Sequence, residues 1–202
     1  MDSHSLKKTK AREHCTRNAI LYPSSFHNRR AEGDGLRNGL KASGGVLPGG
    51  PKYIHSMSTR NIAYIFVHCT GGGRSQKAKD VAYQFILLGW EHPGYHHVVE
   101  SDGKVVQLLS EDKVANGVKG FNEKSIHVAW TGGLENGEYV DNRTDAQKQA
   151  LEELLESLSV RYPKARVLGH RDIWGKDPRK WKKVCPCFDV QKEYGWMNNN
   201  KK

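Results

Sequence analysis

The sequence predicts a single α/β domain with a mixed central β-sheet flanked by α-helices. Three patterns point there. Residues 62–67 are a short unbroken apolar run of the kind found in strands covered on both faces. Residues 76–88 and 145–158 carry apolar side chains at helical spacing. A hairpin and two further strand-like runs complete the set.

The first strand, 62–67, leads into His68. A helix follows over 76–88, with Ala78, Val81, Ala82, Phe85 and Leu88 on its apolar side and Gly89 as a stop. Segments 95–100 and 104–109 flank Ser101-Asp102-Gly103, which reads as a β-hairpin by its turn chemistry. Residues 125–130 form another strand, stopped by Gly132-Gly133. Thr144 with Gln147 three residues on is a capping box. It opens a helix whose Leu151, Leu154, Leu155 and Leu158 make one stripe. Pro163 ends that helix, and 165–168 is a last short strand running into Gly169-His170.

Residues 1–58 have a different character. They carry ten Lys/Arg against four Asp/Glu, lack apolar periodicity and include Gly44-Gly45-Val46-Leu47-Pro48-Gly49-Gly50-Pro51. They are expected to be a poorly ordered basic extension. Met57 is the expected natural start, with a flexible basic arm as the rival reading. The domain is then 59–196, with a frayed tail over 197–202. The low mean hydropathy, −0.73, fits such a division.

The first thirty residues contain no apolar core of signal-peptide length, and no run approaches the ~20 apolar residues of a membrane span. Synthesis in the cytoplasm without a signal peptide is therefore expected. There Cys15, Cys69, Cys185 and Cys187 stay reduced and serve as ligands, nucleophiles or core fillers rather than bridges. The net charge of +10 is compatible with nucleic acid, an anionic membrane or an acidic polymer such as a bacterial wall; charge alone singles out none, and a solvated surface is the commoner reason for it. No dense Lys/Arg block is interleaved with aromatics, so a nucleic-acid partner is not expected.

Two histidines stand at strand exits, His68 and His170. Strand ends gather along one rim of a sheet, where ligand sites collect. Cys185 follows fifteen residues after His170. Two imidazoles and a thiolate are what Zn²⁺ takes when its fourth position stays open. Cys187, two residues on, would point to the opposite face of an extended backbone and is expected to support the core. Cys69 is likewise expected to pack inside.

Phe66-Val67-His68-Cys69-Thr70, Gly94-Tyr95-His96, Ser125-Ile126-His127-Val128, the capping-box helix, Gly169-His170-Arg171-Asp172 and Cys185-Pro186-Cys187-Phe188-Asp189 occur in one order. Over about residues 59–196 this resembles the type 2 N-acetylmuramoyl-L-alanine amidases, the family of the bacteriophage T7 lysozyme and the peptidoglycan recognition proteins. The resemblance implies their fold and Zn²⁺ on His68, His170 and Cys185. It also implies hydrolysis of the amide joining the lactyl group of N-acetylmuramic acid to L-alanine in peptidoglycan. Tyr95 matches the family's catalytic tyrosine, and Lys183 the lysine of the phage enzymes. Ala129 and Trp130 stand where some relatives carry a carboxylate base. That leaves the base role to Tyr95 or to water activated by the metal.

His96 is expected to contact substrate. So is Trp174, in a 174–181 loop longer than in the T7 enzyme, with a surface insertion as its rival. The resemblance suggests an endolysin-like monomer of phage or prophage origin, acting on the cell wall after release by lysis or a partner export system. Two other readings remain: a non-catalytic peptidoglycan-binding module, and a cysteine peptidase using Cys69 or Cys185.

Overall fold

The computed structural model describes residues 59–198. The basic extension expected over 1–58, and residues 199–202, lie outside the described residues. In chain order the elements are β1 (Tyr64–Cys69), α1 (Ala78–Leu87), β2 (His97–Val99), β3 (Val105–Gln107) and β4 (Ser125–Trp130). Then follow β5 (Leu134–Glu135), β6 (Glu138–Tyr139), α2 (Asp145–Arg161), β7 (Arg166–Gly169) and α3 (Val190–Tyr194). The main sheet has the order β3-β2-β4-β1-β7. Only the β2–β3 hairpin is antiparallel; β2–β4, β4–β1 and β1–β7 are parallel, so the sheet is mixed as expected. β5 and β6 form a separate ribbon.

Alternation along the strands sorts side chains onto two faces. Ile65, Val67 and Cys69 of β1 share one core with Ile126, Val128 and Trp130 of β4 and with Val167 of β7. Leu151, Leu154, Leu155 and Leu158 of α2 fill that core, each fully buried. Burying each such leucine stabilises the fold by about 1.5–3 kcal/mol. The opposite face carries Phe66, His68, His127 and Ala129, and against it pack Ala78 and Val81 of α1. The histidines therefore lie on the α1 side of the sheet, away from the larger core.

The capping box forms as read. Gln147 N–H donates to Thr144 Oγ1 at 3.0 Å and Thr144 N–H to Gln147 Oε1 at 3.1 Å. The buried Gln147 amide also donates to the Val99 and Thr131 carbonyls, which ties the helix start to the sheet end.

The chain is held beyond Trp196, where a frayed tail was expected. Met197 is buried in the main core. The Asn198 side chain accepts from Val167 N–H at 2.8 Å and donates to Val167 C=O at 3.0 Å. Gln191 Nε2 donates to the same carbonyl. These amides cover the outer edge of β7, which an exposed strand would otherwise offer to another chain.

One buried ion network joins the hairpin's exit to the end of α2. Glu111, 1 % exposed, accepts from Arg161 Nη1 at 2.6 Å and Nη2 at 2.8 Å, from Tyr162 Oη at 2.5 Å and from His97 Nε2 at 2.8 Å. Burial alone would raise the Glu111 pKa, but the hydrogen bonds from His97, Arg161 and Tyr162 outweigh it and hold the carboxyl at about 2. Its folded pKa is thus below the ordinary 4.5, so its stabilisation is full above that value and fades as pH falls toward about 2. Glu111→Gln is expected to lower stability at pH 7 by about 3 kcal/mol. Urea unfolding at a series of pH values should show the gap to wild type closing in acid; a gap independent of pH would refute this account.

Candidate metal centre and active-site cleft

β1 and β7 are parallel neighbours with Val67 opposite Gly169, so His68 and His170 leave the sheet at the same edge. Cys185 is brought to them by close approach. A Cβ on Gly169 would meet Pro186 Cδ at 2.9 Å, so only glycine lets the 185–186 segment lie against the end of β7. Arg171 N–H then donates to Cys185 C=O at 2.9 Å and fixes the segment.

The resulting donor set is compact. His170 Nδ1 lies 3.1 Å from His68 Nδ1, and Cys185 Sγ 3.8 Å from His68 Nδ1. All three donor atoms fall within 4.8 Å of one another, the one such group among the described residues. Tetrahedral Zn²⁺ with ordinary bond lengths separates two nitrogens by about 3.3 Å, and nitrogen from sulfur by about 3.6 Å. The two spacings to His68 are close to those values, and among the described residues no fourth His, Cys or carboxylate donor joins the group.

The electrostatics point the same way. Burial, with His170, His127 and Lys183 adding to it, pushes the His68 pKa well below its usual range and favours the neutral imidazole that a metal requires. Burial and the Cys69 contact push the Cys185 thiol well up. A divalent cation would reverse that and hold the thiolate. Cys69 N–H already points at Cys185 Sγ from 3.3 Å, a donor suited to a thiolate.

The three donors line a cleft of about 510 Å³. Tyr95 and Lys183 also line it. The Tyr95 ring centroid is 5.1 Å from that of His68, and Phe85 braces it edge-on at 5.4 Å. Burial, with Cys185 and Cys69 adding to it, pushes the phenol well above its usual pKa. It remains a proton donor at neutral pH.

Neither of the two residues expected to contact substrate is among those lining the cleft. His96 is fully buried and does not line the cleft. Its Nδ1 accepts from His127 N–H at 3.0 Å, and its Nε2 lies 3.1 Å from Lys113 C=O and 3.2 Å from Arg60 Nη2. Trp174 stacks on His170, 5.6 Å between centroids and 21° between planes. The rest of its loop folds on itself: Arg171 lies over the Trp181 ring at 4.2 Å, and Trp181 Nε1 donates to Gly175 C=O at 2.7 Å.

Cys69 and Cys187 meet on the core side, Sγ to Sγ 3.5 Å. Cys187 gets there through a backbone turn at φ +74° rather than by extended alternation. Sequence reasoning missed the apolar cleft wall. Phe85 and Leu88 continue the helical stripe of α1; Phe85 packs partly against the Ala78, Val81, Val98 and Ala129 cluster, and with the exposed Leu88 and Trp90 it walls the cleft.

The model of the N-acetylmuramoyl-L-alanine amidase family matches residues 58–188, more than half of the chain. The chain belongs to that family. The endolysin of Klebsiella phage KP32 is 34% identical over 147 residues, covering 70% of this chain and 89% of that one. The endolysin of Escherichia phage T7 is 32% identical over 139 residues, covering 67% and 85%. Among solved structures, the Ph2119 endolysin from a Thermus scotoductus bacteriophage superposes with a TM-score of 0.55 at 27% identity, over 75% of this chain and 92% of that one. Bumblebee PGRP-SA shares the fold, with a TM-score of 0.53 at 18% identity over 74% and 89%. This chain is thus an endolysin-type amidase by family, and its fold is that of the peptidoglycan recognition proteins.

Proposed function

We propose that this amidase uses Zn²⁺ held by His68, His170 and Cys185 to cleave the bond between the lactyl group of N-acetylmuramic acid and L-alanine in bacterial peptidoglycan. The observation that carries the reading is the three-donor group lining an open cleft. The metal, when bound, supplies Lewis acidity for the scissile carbonyl and brings the pKa of water toward ~7.

The chain's own residues do the rest. Lys183 presents an ammonium to the cleft, where it stabilises the negative charge that develops on the carbonyl oxygen during attack. Tyr95, kept protonated by burial, donates a hydrogen bond beside the donor group and relays a proton to the departing L-alanine amine. The wall of Phe85, Leu88 and Trp90 excludes water from one side of the reacting amide. The catalytic unit is the domain beginning at residue 59, working as a monomer on the wall after release from the cell.

Digestion of purified peptidoglycan, read by mass spectrometry of the muropeptides, tests this. Lactyl-terminated glycans and peptides with free L-alanine amino termini are expected, lost with a chelator and regained with Zn²⁺. Zinc-loaded protein that binds the wall but releases neither product would instead be a binding module. Activity that resists the chelator and yields to a thiol alkylator would identify a cysteine nucleophile.

A further inference from the structure

His127 has no part in the mechanism above, yet it is built into the site. It stands on β4 opposite Phe66 of β1, so its side chain shares a face with His68 two residues on. Its ring is fully buried and stacked between two others: Phe66 at 5.8 Å and 10°, His96 at 5.8 Å and 11°. Gly117 leaves it room, since a Cβ there would overlap the imidazole. His127 Nδ1 lies 3.1 Å from His68 Nε2.

The two nitrogens of His68 therefore face different partners. Nδ1 faces His170 and Cys185, and Nε2 faces His127. We propose that His127 is a positioning residue that orients the His68 imidazole for metal by accepting its Nε2–H. The proposal rests on the reading of His68 as a ligand. A metal on Nδ1 takes that lone pair, which leaves the His68 proton on Nε2 and makes His127 Nδ1 the acceptor. The neutral His127 must then carry its own proton on Nε2. That atom is buried with no hydrogen-bond partner among the described residues.

An unpaired buried donor costs free energy that a phenylalanine or leucine in the same space would not incur. Packing alone does not account for histidine there; a bond to the ligand does. Metal-binding imidazoles commonly donate their second nitrogen to a carboxylate, carbonyl or water. Here another imidazole fills that role.

Two substitutions separate the roles. His127→Phe keeps the ring between Phe66 and His96 but removes the acceptor. His127→Asn loses the ring but keeps an acceptor oxygen near the Nδ1 position. Zn²⁺ affinity of the full chain is measured by competition with a chromophoric chelator, with apo-protein circular dichroism reporting the fold. The expected result is binding weakened about 10–100-fold in His127→Phe and within about threefold of wild type in His127→Asn. Wild-type affinity in a folded His127→Phe protein overturns the proposal, and so does His127→Asn binding no better than His127→Phe.

Should His127→Phe not fold, nitrogen-15 NMR of the zinc-loaded wild type decides. Protonated Nε2 and unprotonated Nδ1 on His127 support the proposal, and the reverse tautomer overturns it. A wild type that binds no Zn²⁺ overturns the metal reading itself, which this experiment distinguishes from failure of the His127 role.

Discussion

His170→Ala is expected to lower amidase activity by on the order of 10³-fold or more while leaving the protein folded. Removing one of three protein donors leaves two, and no other His, Cys or carboxylate among the described residues joins His68 and Cys185 to replace it. The fold should tolerate the loss. His170 lies at the sheet edge beyond β7, outside the core that α2 fills, and its outer neighbour is the half-buried Trp174. Muropeptide release, zinc content and thermal melting on the same preparation check the prediction. Activity and zinc should vanish together with little change in melting. A variant that loses zinc and still turns over would break the link between the donor group and the reaction. Cys187→Ser is the matched control: its sulfur faces Cys69 on the core side of the sheet, so zinc and activity should persist.

Most of the fold was legible because its elements are locally consistent. The 125–130 strand and the Thr144-capped helix appear with the expected starts, since alternation and capping chemistry depend on neighbours in sequence. The donor group was legible for a related reason: parallel strands place their ends on one edge, so two histidines at strand exits come together almost by topology alone. What sequence could not supply was the direction of side chains set by distant contacts. His96 faces inward because His127 N–H and Lys113 C=O take its two nitrogens, both from other segments. Trp174 turns onto His170 because the turn after β7 is tight. Asn198 looked like part of a polar tail until the open edge of β7 gave its amide two partners.

Tyr95→Phe is the sharper test of the chemistry, because it removes one oxygen and little else. The ring would keep its edge-on contact with Phe85 and its place beside His68. Among the described residues the hydroxyl's one hydrogen bond is long, 3.5 Å to Cys69 C=O, so the group contributes little to holding the cleft together. Its loss should therefore leave melting and zinc affinity close to wild type and appear in kcat, lowered by about 10²–10³-fold with KM nearly unchanged. Lys183→Ala should show the same pattern, since its ammonium acts on charge that develops only during attack. If Tyr95→Phe instead weakens zinc binding and leaves kcat intact in the zinc-saturated protein, the phenol organises the metal rather than the reacting amide. That would leave Lys183 as the cleft's only proposed stabiliser of the transition state.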